Sequence, residues 1–416
     1  MNHIIIGAGA AGVAAARTLL KELPGDTVTM VSLDGEVYSR CMLHRFISGE
    51  RSAESINFIN DGLLSCPRFS WIRGKPVTRL DGPSKTVFSG DEKTASGDTV
   101  IIASGSNSVT PPIGELKTAK NVFGLRHLDD ARAIVRAAGG AEKIAVVGAG
   151  LVGLDAVDGL LELGKKTGKK FDITVVEMAP SVLAINLDPH AAAAYQRLFE
   201  EAGVKFHIAR KVVNTKSDPA PEGPRIKALE LDTGETIPCD FVILAVGVRP
   251  AIEFLAGSGV KTERAVVVND RLETSVPGIY ACGDAAGLSG IWPNAQVQGQ
   301  TAAKNIAGWN LDYTDRFAVK NTVNFFDLLT LSVGALNPQE GDETLIREDR
   351  KGYQKLILRE GVPVGVVLQG DIAGKGYWQH LIKNRIKIAG LGRSPWKVNY
   401  AEFWGLENNG EFKWVL

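Results

Sequence analysis

Cysteine is scarce in this chain of 416 residues. There are four, Cys41, Cys66, Cys239 and Cys282, and no two have C-x-x-C spacing. That excludes the common zinc and iron–sulfur frameworks and a dithiol pair, so no metal is expected. Net charge is absent too, with 47 Lys and Arg against 47 Asp and Glu. No overall field draws the chain to nucleic acid or to an anionic membrane, and neither is expected as a partner. No stretch reaches the ~20 apolar residues of a membrane span. The apolar start, Ile4 to Leu20, has no basic flank and carries three glycines and Arg17, which does not suit a secretory signal. With so few cysteines, a reducing cytoplasm is the expected location.

Glycine, by contrast, is abundant at 46 residues, and two clusters of it are informative. Gly7-Ala8-Gly9-Ala10-Ala11-Gly12 follows the apolar run His3-Ile4-Ile5-Ile6, and Gly148-Ala149-Gly150-Leu151-Val152-Gly153 follows Ile144-Ala145-Val146-Val147. Each reads as a buried strand, a tight turn and an apolar helix, the context that makes a glycine pattern a dinucleotide site. The first glycine permits the turn, the second admits a diphosphate to the backbone N–H groups, and the third lets helix and strand pack closely. The diphosphate then faces the positive end of the helix. Two such sites in one chain point to two dinucleotides exchanging electrons.

The length suits two or three domains. The expected fold is α/β, with two Rossmann-like dinucleotide-binding domains, the second inserted in the first, and a C-terminal α+β interface domain. Residues 1–112 and 241–312 would form the first domain, 113–240 the second and 313–416 the third. Thr110-Pro111-Pro112 reads as a stiff break between the first two. Three of the seven tryptophans, Trp396, Trp404 and Trp414, fall in the last 21 residues, which reads as a tail packed on its own domain or a dimer partner, with a docking surface for a protein partner as the alternative.

In series, these motifs resemble the pyridine nucleotide–disulfide oxidoreductase superfamily over nearly the whole chain. The resemblance implies that the first fingerprint (Gly7, Gly9, Ala10, Ala11, Gly12) holds FAD, with Ala103-Ser104-Gly105 as the turn ending a returning strand. Gly283-Asp284 matches the turn whose aspartate bonds the flavin's sugar-alcohol chain. Ser32 stands where an acidic residue usually holds the adenosine ribose, and Asp34 is the nearby substitute. Trp292 and Pro293 begin a helix that the resemblance aims at the flavin. The second fingerprint (Gly148, Gly150, Leu151, Val152, Gly153) would hold the nicotinamide cofactor, with Asp155 near the nicotinamide and Gly247 on the returning strand. Glu177, ending the next strand, suits a ribose 2′-hydroxyl and repels a 2′-phosphate, favouring NADH over NADPH. The basic loop Lys165, Lys166, Lys169 and Lys170 reads as a solvated turn, although it could reach a phosphate.

The segment from Tyr38 to Gly49 points two ways. Tyr38-Ser39-Arg40 resembles reductases that feed rubredoxin or ferredoxin, and nitrite reductase flavoproteins. Cys41 falls where coenzyme A-disulfide reductase and NADH oxidase keep one redox cysteine. Arg40, His44 and Arg45 lie within four positions of it, and cations or a helix start lower a thiol pKa. The favoured expectation is therefore an FAD-dependent NADH oxidoreductase, a homodimer, using Cys41 with His44 as proton source to reduce a small disulfide or polysulfide. The alternative is direct transfer to a carrier protein such as rubredoxin, with Cys41 a bystander. An oxidase or peroxidase, or a redox-sensing flavoprotein, comes after these.

Overall fold

The structure is a computed structural model that describes residues 1–59, 61–315, 320–389, 394–399, 404–407 and 412–414. The chain divides into two compact units. The larger comprises residues 1–176 and 205–316, the smaller 177–204 and 317–416.

The larger unit holds two parallel sheets of the same design. In the first, Asn2–Ile6 is central, with Thr27–Val31 on one side and Thr99–Ile102 on the other, both parallel. Phe69–Ile72 and Ile279–Ala281 complete its edges. Ile4, Ile5, Val100, Ile101 and Ile102 are fully buried, as continuous apolar strands covered on both faces must be. The second sheet centres on Lys143–Val147, flanked in parallel by Asp172–Glu177 and Phe241–Leu244. Lys205–Ile208 and Val122–Phe123 form its edges. The chain crosses between the sheets twice, and Ser106–Ser108 and Val248–Pro250 pair antiparallel there.

In each sheet the first strand turns into a helix, Ala10–Glu22 or Leu151–Thr167. The turns have the same backbone logic. Gly7 has φ +110° and Gly148 φ +102°, where side chains are strained. A Cβ on Gly7 would lie 2.2 Å from the Ala103 carbonyl oxygen, and one on Gly148 2.4 Å from that of Ala245. The third glycines close the turns: a Cβ on Gly12 would lie 2.0 Å from the Gly7 oxygen, and one on Gly153 2.0 Å from the Gly148 oxygen. The helix Trp292–Ile306 packs on Ala10–Glu22 through Gly299, whose Cβ would lie 2.1 Å from the Ala11 oxygen.

The smaller unit is built on a five-stranded antiparallel sheet of Lys320–Phe325, Leu328–Gly334, Glu343–Asp349, Gly352–Arg359 and Val362–Gly370. Trp378 and Leu381 of the helix Tyr377–Lys383 are buried against it. A second helix, Pro189–Glu201, is fixed to the same sheet: the Tyr195 hydroxyl bonds the Leu328 carbonyl (2.6 Å) and Thr330 (2.9 Å). Trp396 is packed against this core, whereas the side chains of Trp404 and Trp414 lie outside the described residues. No helix among the described residues is long and apolar enough to cross a membrane.

Candidate active site

A cavity of about 490 Å³ opens along the first glycine turn. Its lining includes Gly7, Gly9, Ala10, Ala11, Ser32, Asp34, Arg40, Cys41, Ala103, Ser104, Gly105, Gly283, Asp284 and Trp292. Residues far apart in the chain thus meet at one place. Gly12 and Pro293 do not line it but follow the lining residues Ala11 and Trp292 in the chain.

The cavity fits a dinucleotide. The N-cap of Ala10–Glu22 is Gly9, which supplies no side chain to the orphan N–H groups, and the first turn carries no acid. By contrast, Asp188 caps Pro189–Glu201 with a 2.9 Å bond to the Ala191 N–H. An uncapped N-terminus over a cavity favours an anion. Arg40 lies above it, 3.5 Å from where a Gly9 Cβ would be. Its Nε is buried without a hydrogen-bond partner. The second fingerprint repeats the uncapped start at Gly150, and nothing lies within 4 Å of a Cβ built there.

Polar groups around the cavity form two clusters. Asp34 accepts from Arg40 (2.9 Å) and contacts His127 Nδ1 (3.1 Å), and these cationic or donor neighbours hold its carboxyl below the usual range despite burial. Ser32 is occupied: its hydroxyl donates to the Asp34 carbonyl (2.7 Å) and accepts from the Trp71 indole (2.8 Å). Asp284 accepts from Ser106 (2.7 Å) and Arg126 (2.5 Å), while Arg126 Nε also donates to the Ser106 carbonyl (3.0 Å). Burial lowers the Arg126 pKa, with Asp284 opposing.

Arg126 and His127 were not singled out in the sequence. They precede the helix Leu128–Gly140, and both backbone N–H groups donate to Asp130 (2.8 Å each). The signal present was Arg126-His127 before the acidic pair Asp129-Asp130, which reads as a helix start with two unassigned basic side chains.

Cys41 requires a correction. It lies in a 3₁₀ turn, Arg40–Met42, ahead of the five-residue helix Leu43–Ile47, not at the head of a long helix. Solvent reaches its side chain from the cavity. Its pKa is raised, not lowered, first by the surrounding protein and then by the Asp155 carboxylate, which outweigh Arg126 and Arg40. Nor is His44 a cation. Burial and Arg45 push its pKa down to about 4, so it is neutral near pH 7 and a poor proton source. The shift is the reverse in direction of what the neighbouring cations in the sequence suggested.

Asp155 projects from the second fingerprint helix toward this segment, with its Oδ1 3.8 Å from His44 Nδ1. Burial and Asp158 raise its pKa to about 7, with Arg45 opposing. The close approach depends on Gly159, whose Cβ would lie 2.7 Å from the His44 carbonyl oxygen.

Around the second turn, Gly247 has φ +107° and no atom within 4 Å of its Cβ position. Val152 and Val248 are exposed beside the two segments. Glu177 ends its strand and accepts from the Ala179 N–H (2.7 Å). The basic loop serves local structure: Lys169 donates to the Ala138 (2.9 Å) and Gly139 (2.8 Å) carbonyls, and Lys166 to that of Gly49 (2.6 Å).

Known proteins resemble this arrangement. Residues 320–386 match the rubredoxin NAD+ reductase C-terminal domain. The NADH oxidase of Methanocaldococcus jannaschii is 32% identical over 336 residues, 74% of this chain and 70% of that protein. The NADH-dependent phenylglyoxylate dehydrogenase subunit epsilon of Aromatoleum evansii is 27% identical over 413 residues, 96% of this chain and 95% of that protein. The chain spans about half the length of other curated relatives it matches (49% and 45%). A covalent putidaredoxin reductase–putidaredoxin complex shares the fold, with TM-score 0.79, 22% identity and coverage of 93% of this chain and 94% of that one. So does a NAD-dependent persulfide reductase from A. fulgidus, with TM-score 0.79, 24% identity and coverage of 92% and 77%. Residues 1–299 match the family described as pyridine nucleotide-disulphide oxidoreductase, and the chain belongs to it.

Proposed function

We propose that the protein takes electrons from NADH and passes them to a small electron-carrier protein of the rubredoxin or ferredoxin type. The observation that carries this reading is the match of residues 320–386 to the rubredoxin NAD+ reductase C-terminal domain. Burial and Asp155, which raise the Cys41 pKa, act against a reactive thiolate and support the same acceptor class.

When bound along the first turn, FAD would supply the chemistry that links a two-electron hydride donor to a one-electron acceptor. The chain's own residues do the rest. Gly7, Gly9 and the uncapped helix start hold the FAD diphosphate, with Arg40 and Arg126 adding charge. Gly12, Ala103, Ser104, Gly105 and Gly283 keep the backbone close to it. Asp284, oriented by Ser106 and Arg126, accepts from the sugar-alcohol hydroxyls, and Asp34 serves the adenosine end. Trp292 and Pro293 aim the helix Trp292–Ile306 at the ring. Gly148, Gly150 and Gly153 receive the NADH diphosphate, and Glu177 selects the 2′-hydroxyl.

A second reading keeps the disulfide or polysulfide acceptor, because Cys41 does line the cavity and solvent reaches it. Cys41→Ser separates the two. With reduced rubredoxin or ferredoxin as the measured product, the variant should keep its activity within about twofold. A loss of about tenfold or more, together with loss of disulfide reduction, would transfer the assignment to the thiol reading.

A further inference from the structure

We propose that Arg385, Lys387 and Lys397, in the smaller unit, form a docking surface for an acidic protein and capture the electron carrier by its carboxylates. The inference deepens the acceptor reading and rests on it for the identity of the partner.

The charge is visible in the sequence. Between Asp371 and Glu402 there is no acidic residue, while Lys375, Lys383, Arg385, Lys387, Arg393 and Lys397 all fall in that interval. In a chain with equal numbers of acids and bases this is a local excess of one sign. As sequence alone, such a run reads as a solvated face. In the fold it is held outward and left without counter-charge.

The outward hold comes from the apolar residues between the cations. The helix Tyr377–Lys383 buries Tyr377, Trp378, Leu381 and Ile382 in the core of the unit. Beyond it, Ile386, Ile388 and Val398 are buried in the same core, and Trp396 packs against it. Arg385, Lys387 and Lys397, their neighbours in the chain, are exposed. The segment is also tied by its backbone, since the Ile388 N–H bonds the Gly361 carbonyl (2.9 Å) in the turn between Gly352–Arg359 and Val362–Gly370. The cations therefore project from a fixed surface.

Elsewhere in the same unit, Arg347, Lys355 and Arg359 each pair with an aspartate, at 2.6, 3.2 and 2.8 Å. Arg385, Lys387 and Lys397 have no carboxylate partner among the described residues. Like charges gathered in this way repel one another, and an acidic surface brought against them relieves the repulsion. Arg385 can grip one Asp or Glu side chain with two parallel N–H···O bonds, and the lysines act as point charges. Attraction of this kind reaches about 10 Å at 0.1 M salt and raises the rate of encounter by about 10- to 1,000-fold. Its effect therefore falls on kcat/KM for the carrier, not on kcat. The match to the rubredoxin reductase terminal domain ends at residue 386, so Lys387 and Lys397 lie beyond it.

The test uses the FAD-loaded full chain, an acidic rubredoxin as probe, and the triple variant Arg385→Glu, Lys387→Glu, Lys397→Glu. In wild type, kcat/KM for rubredoxin should fall steeply as sodium chloride rises from about 20 to about 300 mM. In the variant it should be lower by about tenfold or more at the lowest salt and nearly independent of salt, with kcat within about twofold. Turnover with benzoquinone, an uncharged acceptor that needs no docking surface, should agree within about twofold in the two proteins. If the variant loses benzoquinone turnover, the neutral set Arg385→Gln, Lys387→Gln, Lys397→Gln takes its place, with a loss of about threefold or more expected for rubredoxin. Binding of dye-labelled rubredoxin, read by fluorescence anisotropy without NADH, should weaken in parallel. Equal kcat/KM and equal salt dependence in wild type and variant would overturn the surface and leave the carrier reading standing. Rubredoxin that binds wild type, escapes the variant and is never reduced would retire the carrier reading and leave the surface. Rubredoxin that wild type neither binds nor reduces would overturn both. Retention of wild type on phosphatidylglycerol vesicles, lost in the variant while rubredoxin kinetics stay unchanged, would give the surface to a membrane and overturn the proposal.

Discussion

The two glycine turns share a backbone and differ in what surrounds it. Gly7 and Gly148, and Gly12 and Gly153, meet equivalent carbonyl oxygens at nearly the same distances. Over the first turn stand Arg40, Arg126 and His127, with Asp34 and Asp284 bonded among them. Over the second there is open space at Gly150 and Gly247, and exposed valines at 152 and 248. A walled cradle with paired charges suits a group that stays bound, and an open one suits a molecule that comes and goes each turnover. On the proposed assignment, the same motif serves a prosthetic group in one place and a co-substrate in the other.

The sharpest way to break this comparison is to add one methyl group to each turn. Gly7→Ala should leave the purified protein colourless, with FAD content down by about tenfold or more, because the methyl group collides with the Ala103 carbonyl and φ is positive. Gly148→Ala should stay yellow and lose flavin bleaching by NADH; absorbance read before and after anaerobic NADH checks both. Equal colour loss in the two variants would end the distinction.

A smaller effect is expected at Glu177. Glu177→Ser should raise kcat/KM for NADPH relative to NADH by about tenfold, since repulsion of the 2′-phosphate is removed. An unchanged ratio in steady-state assays would place the selectivity elsewhere.

Alkylation tests the walled side again. The raised thiol pKa means that the reactive thiolate is scarce near pH 7 and grows as pH rises above the ordinary thiol range. Iodoacetamide labelling of Cys41, followed by peptide mass spectrometry, should be slow at pH 7 and accelerate into the alkaline range. Fast labelling at pH 6 would reverse the sign of the assignment.

The smallest change is expected from Lys169→Ala. Loss of its bonds to the helix carbonyls of Ala138 and Gly139 should cost about 0.5 kcal/mol in denaturant unfolding, with the preference for NADH unaltered. A gain in NADPH use would instead show that the loop faces a phosphate.

Both turns, the returning strands and the Gly283-Asp284 corner were legible in the sequence, because each rests on local chemistry: a glycine where φ is positive, or an apolar run covered on two faces. Arg126 and His127 were not, since their roles arise from contacts with Asp284 and Asp34, distant in the chain. The state of Cys41 was misread for the same reason. Arg40, His44 and Arg45 are visible beside it, whereas Asp155 and the crowding that neutralises His44 arrive only with the fold.

The edge strand Ile279–Ala281 pairs with Val100–Ile102, so the amino-terminal sheet closes around a segment made long after its centre. The sheet spanning residues 122–244 has all its strands earlier. On a ribosome, the inserted unit can therefore mature while its host still waits for its last strand, exposing apolar edges to chaperones. Pulse proteolysis of nascent chains halted near residue 270 would reveal this order as protection of residues 122–244 ahead of 1–102.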